Sequence, residues 1–283
     1  MSKASNFGTI DRPWRELIAY QFSFVNERLR ILVPTQLPTH IPYCLGLLAW
    51  TLDARDDLAT LEYYRRGARE FSDDGTSMCG AFGARLFGIH HSSSQIQAIR
   101  ERLAVDPASR RTYATILRPS DNVEEKRELP CASGVQLFLR AGELHFITTM
   151  RAQQALTILP YDLFLFTALH HFIASDLGVQ PGPYYHYSGT FHIYDSEIEL
   201  AKVIGDGPVT RAIELDLVPK GHGSAVASEL IEIERVLRAA ALAGEERAIT
   251  SVLRQPLSYQ FNEYVRSTLA QFASGKVRDL RSS

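Results

Sequence analysis

Residues 129–162, LPCASGVQLFLRAGELHFITTMRAQQALTILPYD, constrain this chain more than any other stretch. Two alternating apolar runs, residues 134–140 and 143–149, are joined by Arg140-Ala141-Gly142. Period-two runs around a glycine-containing turn predict a β-hairpin. Cys131, directly after Pro130, opens the first strand and Arg151 closes the second, so the return brings a thiol and a guanidinium to one end. Sulfur attacks as the thiolate, and a neighbouring cation lowers a thiol's pKa. Taken alone, Cys131 is equally readable as a small buried hydrophobe.

Around the hairpin, periodicity predicts interleaved helices and strands. Apolar residues at Trp14, Leu17, Ile18 and Phe22 predict a short helix over 14–24, and 28–33 reads as a strand. Residues 43–52 predict a buried helix, 94–103 an amphipathic helix, and 112–117 a strand. Residues 163–176, apolar through most of their circumference, predict a buried helix closed by Gly178. An aromatic strand over 184–194, a strand over 212–217 and helices over 225–243 and 261–272 complete the reading. Residues 55–75 mix charged and aromatic side chains, as a solvated helix and turn would, and the glycines of 80–85 predict close backbone approach or a tight bend. Residues 1–12 read as a loose polar arm, and no linker composition divides the 283 residues, so a single domain over 1–283 is expected.

With 45% hydrophobic residues the chain can bury a large core. A formal net charge of -2 gives no electrostatic footprint for nucleic acid or an anionic membrane. No apolar run reaches the roughly 18 residues of a membrane span, and residues 1–14 lack a secretory-type apolar core, so a cytoplasmic protein is expected. Cys44, Cys79 and Cys131 are odd in number and widely spaced, against a disulfide framework or a CxxC metal site. The pairs His90-His91 and His170-His171 do not share a helix face, so no metal is expected there.

Pro130-Cys131, Gln136 five residues past the cysteine, Arg151 twenty past it, Leu159-Pro160-Tyr161-Asp162, and His192-Ile193-Tyr194 resemble the thymidylate synthase superfamily in residue type and spacing. The resemblance implies an α/β fold of the α+β type. Its large mixed sheet carries flanking helices and packs back to back in a homodimer. It also implies a pyrimidine nucleotide bound over Cys131, which would add to C6. Arg151 would lower the thiol pKa and hold the phosphate, and Gln136 would take part in base recognition. His192 and Tyr194 would bind the sugar hydroxyl. At least one of Arg110 and Arg111 would reach the phosphate of the partner's nucleotide, a task that suits bidentate, permanently charged guanidinium groups.

Asp162 stands where the synthases hold asparagine. An asparagine accepts from uracil N3–H and donates to O4, whereas cytosine inverts both demands. A carboxyl group meets them by sharing a proton with N3 and accepting from the 4-amine. Asp162 therefore predicts cytosine, in the pattern of the cytidylate 5-hydroxymethylases, although an aspartate here can also cap the following helix. These enzymes take their one-carbon unit from methylenetetrahydrofolate. Ala152, replacing the family's serine, favours CMP over dCMP. Several departures point away from the full family chemistry: Leu47 replaces a catalytic glutamate and Phe82 a tyrosine, and Ala132 follows the cysteine in place of histidine. Gln154 replaces the pterin-contacting aspartate, and residues 277–283 do not match the segment that closes over folate. Folate-independent C5 chemistry on a cytidylate, or a silent nucleotide-binding protein, remain open at this level.

Overall fold

The computed structural model describes residues 5–9, 12–88, 94–122, 125–206 and 211–282. Strands β1 (Ser5–Thr9), β2 (Arg12–Val25) and β3 (Arg30–Val33) lead into helices α1 (Ile41–Leu52), α2 (Leu58–Tyr64), α3 (Phe82–Phe87) and α4 (Gln95–Val105). Strand β4 (Tyr113–Thr115) precedes the hairpin β5 (Ala132–Arg140) and β6 (Glu143–Gln154), then helix α5 (Leu159–Asp176) and strand β7 (Gln180–Tyr194). Helix α6 (Ile198–Asp206), strand β8 (Arg211–Glu214) and helices α7 (Gly223–Leu242), α8 (Glu246–Arg254) and α9 (Phe261–Ser282) follow.

The hairpin lies within a six-stranded sheet in the order β1-β2-β7-β6-β5-β4, with β6 central and β5 beside the edge strand β4, and β3 and β8 form a separate pair. Strands β6 and β7 run parallel and the other neighbours antiparallel, which makes the sheet mixed. A parallel pair needs a crossover, and α5 supplies it. One side of α5 buries Phe166, Leu169 and Ile173 against Val135, Leu137 and Phe146 of the hairpin. Its other side buries Phe164, Leu165 and Phe172 among α1, α7 and α9. A helix apolar around its circumference has to be covered on all sides, as this one is. Its histidines are core residues: His170 Nδ1 faces Asn26 Nδ2 at 3.1 Å and its Nε2 faces the Leu144 carbonyl at 2.6 Å, a pairing a neutral ring satisfies. The pair His90-His91 lies outside the described residues.

Two expectations at the amino terminus fail. Residues 14–24 are not helical but belong to β2, which pairs along its length with β7. The apolar positions that match a helical period also leave Tyr20, Phe22 and Phe24 in strict alternation, and pairing with β7 decides between the two periods. Nor is the amino terminus a loose arm throughout, since Ser5–Thr9 pairs with Arg12–Glu16 as β1; residues 1–4, 10 and 11 lie outside the described residues. Helix α2 falls in the stretch read as a solvated helix and turn, helices α3, α6 and α8 were not legible in the pattern, and α9 continues beyond 272.

Close backbone approach explains two glycines. A Cβ at Gly83 would stand 2.2 Å from the Thr51 carbonyl oxygen, so its absence lets α3 lie on α1. A Cβ at Gly134 would stand 2.5 Å from the Ala114 carbonyl oxygen, at the irregular start of β5 just after Cys131. The loop before the hairpin is pinned from beneath. Arg85 of α3, fully buried, donates to Ile116 O at 2.7 Å and to both carboxylate oxygens of Asp121. These bonds hold the Asp121 carboxyl well below the usual carboxylate range. Among the described residues no helix is long and apolar enough to cross a membrane.

Candidate active site

Cys131 sits at the mouth of β5, half-buried, with its carbonyl accepting from Arg151 N at 2.7 Å. The Arg151 guanidinium folds back on the loop carrying the cysteine: Nε donates to Pro130 O and Nη2 to Leu129 O, each at 2.9 Å. The hairpin thus brings thiol and guanidinium together as its return predicts. The resting thiol is nevertheless not activated. Burial pushes its pKa up, the Asp162 charge adds to that, Arg151 pulls it down, and Glu128 pushes it up again, with a net rise. The expectation that Arg151 poises a thiolate therefore holds in sign for the guanidinium and fails in sum, because a desolvated thiol also faces two acids.

Asp162 lies in the first turn of α5, whose start at Leu159-Pro160 puts proline where its missing N–H costs nothing. The helix has no side-chain cap, and Asp162 Oδ2 instead accepts from Gln153 Nε2 at 2.9 Å. The capping alternative thus has no hydrogen bond behind it. Burial raises the carboxyl pKa to about 6, with the Gln153 bond opposing the rise. An acid whose pKa is raised on folding keeps a proton that the unfolded chain releases. Its cost to stability is absent below pH 4, grows between pH 4 and 6, and is complete above that. Asp162→Asn should therefore stabilise the free protein at pH 8 by up to about 3 kcal/mol more than at pH 4. Urea denaturation at the two pH values measures this difference, and equal shifts would contradict the buried acid.

His192 and Tyr194 end β7 with their rings 5.6 Å apart, and the Arg12 guanidinium lies 3.9 Å above the Tyr194 ring. Burial lowers the His192 pKa, and the ring lies within electrostatic reach of Arg151. Cys131, Arg151, Asp162 and His192 thus belong to one neighbourhood with Tyr194 at its edge. Gln136 does not join it. It pairs with Tyr113 and Ile147, and strand alternation turns it to the sheet face opposite Val135 and Leu137, away from α5. Arg110 and Arg111 are exposed on a surface groove with Glu101, Arg102 and Asp106, where they meet none of these groups within the chain.

The positions that depart from the family pattern are closed off. Leu47 packs against the apolar core and Phe82 stacks on Phe166 at 5.7 Å, so neither place offers an acid or base. Gln154 is consumed within the chain: Oε1 accepts from Leu156 N, Thr157 N and Ile158 N, and Nε2 donates to Glu197 Oε2 at 2.7 Å. Of residues 55–75, Arg55 pairs with Asp57 at 2.7 Å, as a solvated turn would. Tyr64 and Arg65 instead line a cleft of about 250 Å³ with His40, Tyr43 and Tyr161, and Tyr43 lies within electrostatic reach of Asp162.

Sequence patterns did not reveal what lies behind Asp162. Gln153 Oε1 is 3.1 Å from His186 Nε2, and His186 Nδ1 is 3.0 Å from the Tyr184 hydroxyl. All three side chains are buried. Residues so far apart along the chain, in strands read only for alternation, carry no signal of such a contact.

The family model described as thymidylate synthase matches residues 12–221. The chain belongs to the thymidylate synthase family. Methylenetetrahydrofolate serves the family as its one-carbon donor, and a pyrimidine nucleotide is its substrate. Among relatives, a deoxyuridylate hydroxymethyltransferase of Bacillus phage SP01 is 24% identical over 78% of this chain and 66% of its own length. A putative thymidylate synthase of Methanosarcina barkeri is 30% identical over 44% of this chain and 58% of its own. The chain thus spans less than two thirds of the length of these relatives. The solved thermostable thymidylate synthase A from Bacillus subtilis superposes with a TM-score of 0.60 at 21% identity, covering 73% of this chain and 74% of that one. That likeness supports the α/β thymidylate synthase fold.

Proposed function

We propose that this thymidylate synthase family member transfers a hydroxymethyl-level one-carbon unit to C5 of a cytidine monophosphate, CMP in preference to dCMP, through a covalent bond between Cys131 and C6. The observation that carries this reading is the buried Asp162 carboxyl, half-protonated near pH 6, within electrostatic reach of Cys131. A neutral carboxyl offers the donor and acceptor that cytosine N3 and its amine require. The hydroxymethyltransferase named above carries a uracil nucleotide in its name, so the cytosine assignment rests on Asp162 alone.

Asp162 has a second effect on the reaction. While ionised it holds the thiol up; a base that shares its proton removes that charge and leaves Arg151 opposed by burial and Glu128 alone. Once the thiol has released its proton to solvent, the thiolate adds to C6, and the C5–C6 electron pair moves to C5 and onward through C4 to N3, where the shared proton neutralises it. The result is a nucleophilic C5. Methylenetetrahydrofolate, when bound, supplies the one-carbon unit at the oxidation level of formaldehyde. The family's pterin carboxylate has no counterpart here, because both ends of the Gln154 amide are already bonded within the chain. Gln154 and Phe82 together favour a second reading, in which the adduct serves folate-independent chemistry such as loss of a C5 substituent.

His192 and Tyr194 would hold the sugar and Arg151 the phosphate. The outward sheet face carries Phe138, Ile147, Tyr185 and Tyr187, an apolar surface suited to a homodimer that would bring Arg110 or Arg111 to the partner's nucleotide. Release of tritium from [5-3H]CMP, followed with and without methylenetetrahydrofolate, tests the proposal. Release that requires the folate is the expected result. Exchange without it supports the second reading, and CMP binding with no release under either condition overturns both.

A further inference from the structure

The groups behind Asp162 fix one another's polarity. Gln153 Nε2 lies 2.9 Å from Asp162 Oδ2 and 3.3 Å from the Gln154 carbonyl oxygen. That carbonyl can only accept, so the nitrogen end of the Gln153 amide must face it, and a flipped amide would set two acceptors against each other. The oxygen end then faces His186 Nε2 at 3.1 Å, which must carry a hydrogen. Burial lowers the His186 pKa to about 4, so the ring is neutral at pH 7, and its Nδ1, left without a hydrogen, faces the Tyr184 hydroxyl at 3.0 Å, which also lies 3.0 Å from Thr148 Oγ1. Phe22 of β2 stacks on the imidazole at 4.9 Å and holds the plane of the ring. Gln153 is only 1% exposed and His186 likewise 1%, so water does not compete for these bonds.

The consequence falls on Asp162. A neutral carboxyl is ambiguous: with the proton on the oxygen facing N3 it reads cytosine, and with the proton on the other oxygen it reads uracil, donating to O4 and accepting from N3–H. An N–H pointed at Oδ2 keeps that oxygen an acceptor and leaves Oδ1 as the place for the proton. We propose that Gln153, oriented by the Gln154 carbonyl and His186, is the positioning residue that makes Asp162 discriminate between pyrimidine bases, by confining the carboxyl proton to Oδ1. This inference rests on the reading of Asp162 as the base-recognising group and adds to it the reason one oxygen is chosen. It asks nothing of the folate site.

The test is calorimetric binding of CMP and UMP to the intact protein, with thermal melting as a check on folding. Gln153→Met keeps the length and removes the donor, and should shrink the CMP-to-UMP preference about tenfold or more, mostly by tighter UMP binding. Gln153→Glu puts an acceptor where the donor was and should shrink it likewise, which keeps the test available if the apolar variant does not fold. Gln153→His, able to donate from a ring nitrogen, should restore part of the preference. A merely structural role would weaken both nucleotides together and leave their ratio unmoved. An unmoved ratio in either folded variant overturns the inference. Asp162→Asn separates the two claims: if it shifts the ratio while the Gln153 variants do not, the proton lock alone is wrong. If Asp162→Asn leaves the ratio where it was, the base-recognition reading fails and the lock with it.

Discussion

Replacing Cys131 by alanine should lower tritium release from [5-3H]CMP by at least about a thousandfold while CMP binding changes by less than about threefold. The expectation follows from the division of labour in the site. Covalent addition is what makes C5 nucleophilic, and neither other cysteine can substitute for it. Cys44 is buried in the core with its pKa pushed up to about 12. The Cys79 sulfur is turned towards Asp73 and the Glu128 carbonyl, and burial together with Glu128 raises its pKa. Among the three thiols, Cys131 is the one for which Arg151 is a counter-charge. Binding should survive, because the phosphate, sugar and base contacts come from other side chains. Retained release in Cys131→Ala would mean that the C5 hydrogen is lost without addition to C6.

The second large effect is a reversal of base preference. Asp162→Asn should move the CMP-to-UMP ratio of tritium release by about a hundredfold to ten-thousandfold towards UMP. A buried site built for one donor-acceptor order leaves polar groups unpaired when offered the other. The buried position of the carboxyl is what makes the effect large, since water cannot replace the mismatched bonds. The Gln153 amide would then face the amide of the new residue, and full uridylate activity requires the new oxygen to face uracil N3–H. The reversal should therefore be more complete when Asp162→Asn is combined with Gln153→Met. Parallel assays with [5-3H]CMP and [5-3H]UMP measure it, and a cytidylate preference that persists in the single and the double variant would remove Asp162 from base recognition.

Much of the fold is legible in the sequence. The alternation on either side of Ala141-Gly142 gave the hairpin that became β5 and β6, and the all-round apolar face of residues 163–176 gave the buried helix between the sheet and the helical layer. Residues 14–24 misled because their apolar positions fit two periods, and only the partner strand β7 selects the extended one. Gln136 misled differently. Its distance from Cys131 along the chain says nothing of which sheet face it takes, and the irregular pairing between Ala132 and Gly134 intervenes between the two.

The order of thiol, guanidinium and carboxyl along the chain, and the hairpin that returns the guanidinium to the thiol, were determined by the sequence alone, because turn chemistry and apolar periodicity act between near neighbours; the fold as a whole was implied by the family resemblance. The state of those groups was decided only by the tertiary structure. The thiol pKa is raised despite Arg151, the Asp162 carboxyl keeps a proton to about pH 6, and Gln153 has one permitted orientation. Each of these depends on desolvation and on fields summed over atoms that are distant in sequence, and such sums exist only once the chain has closed around them.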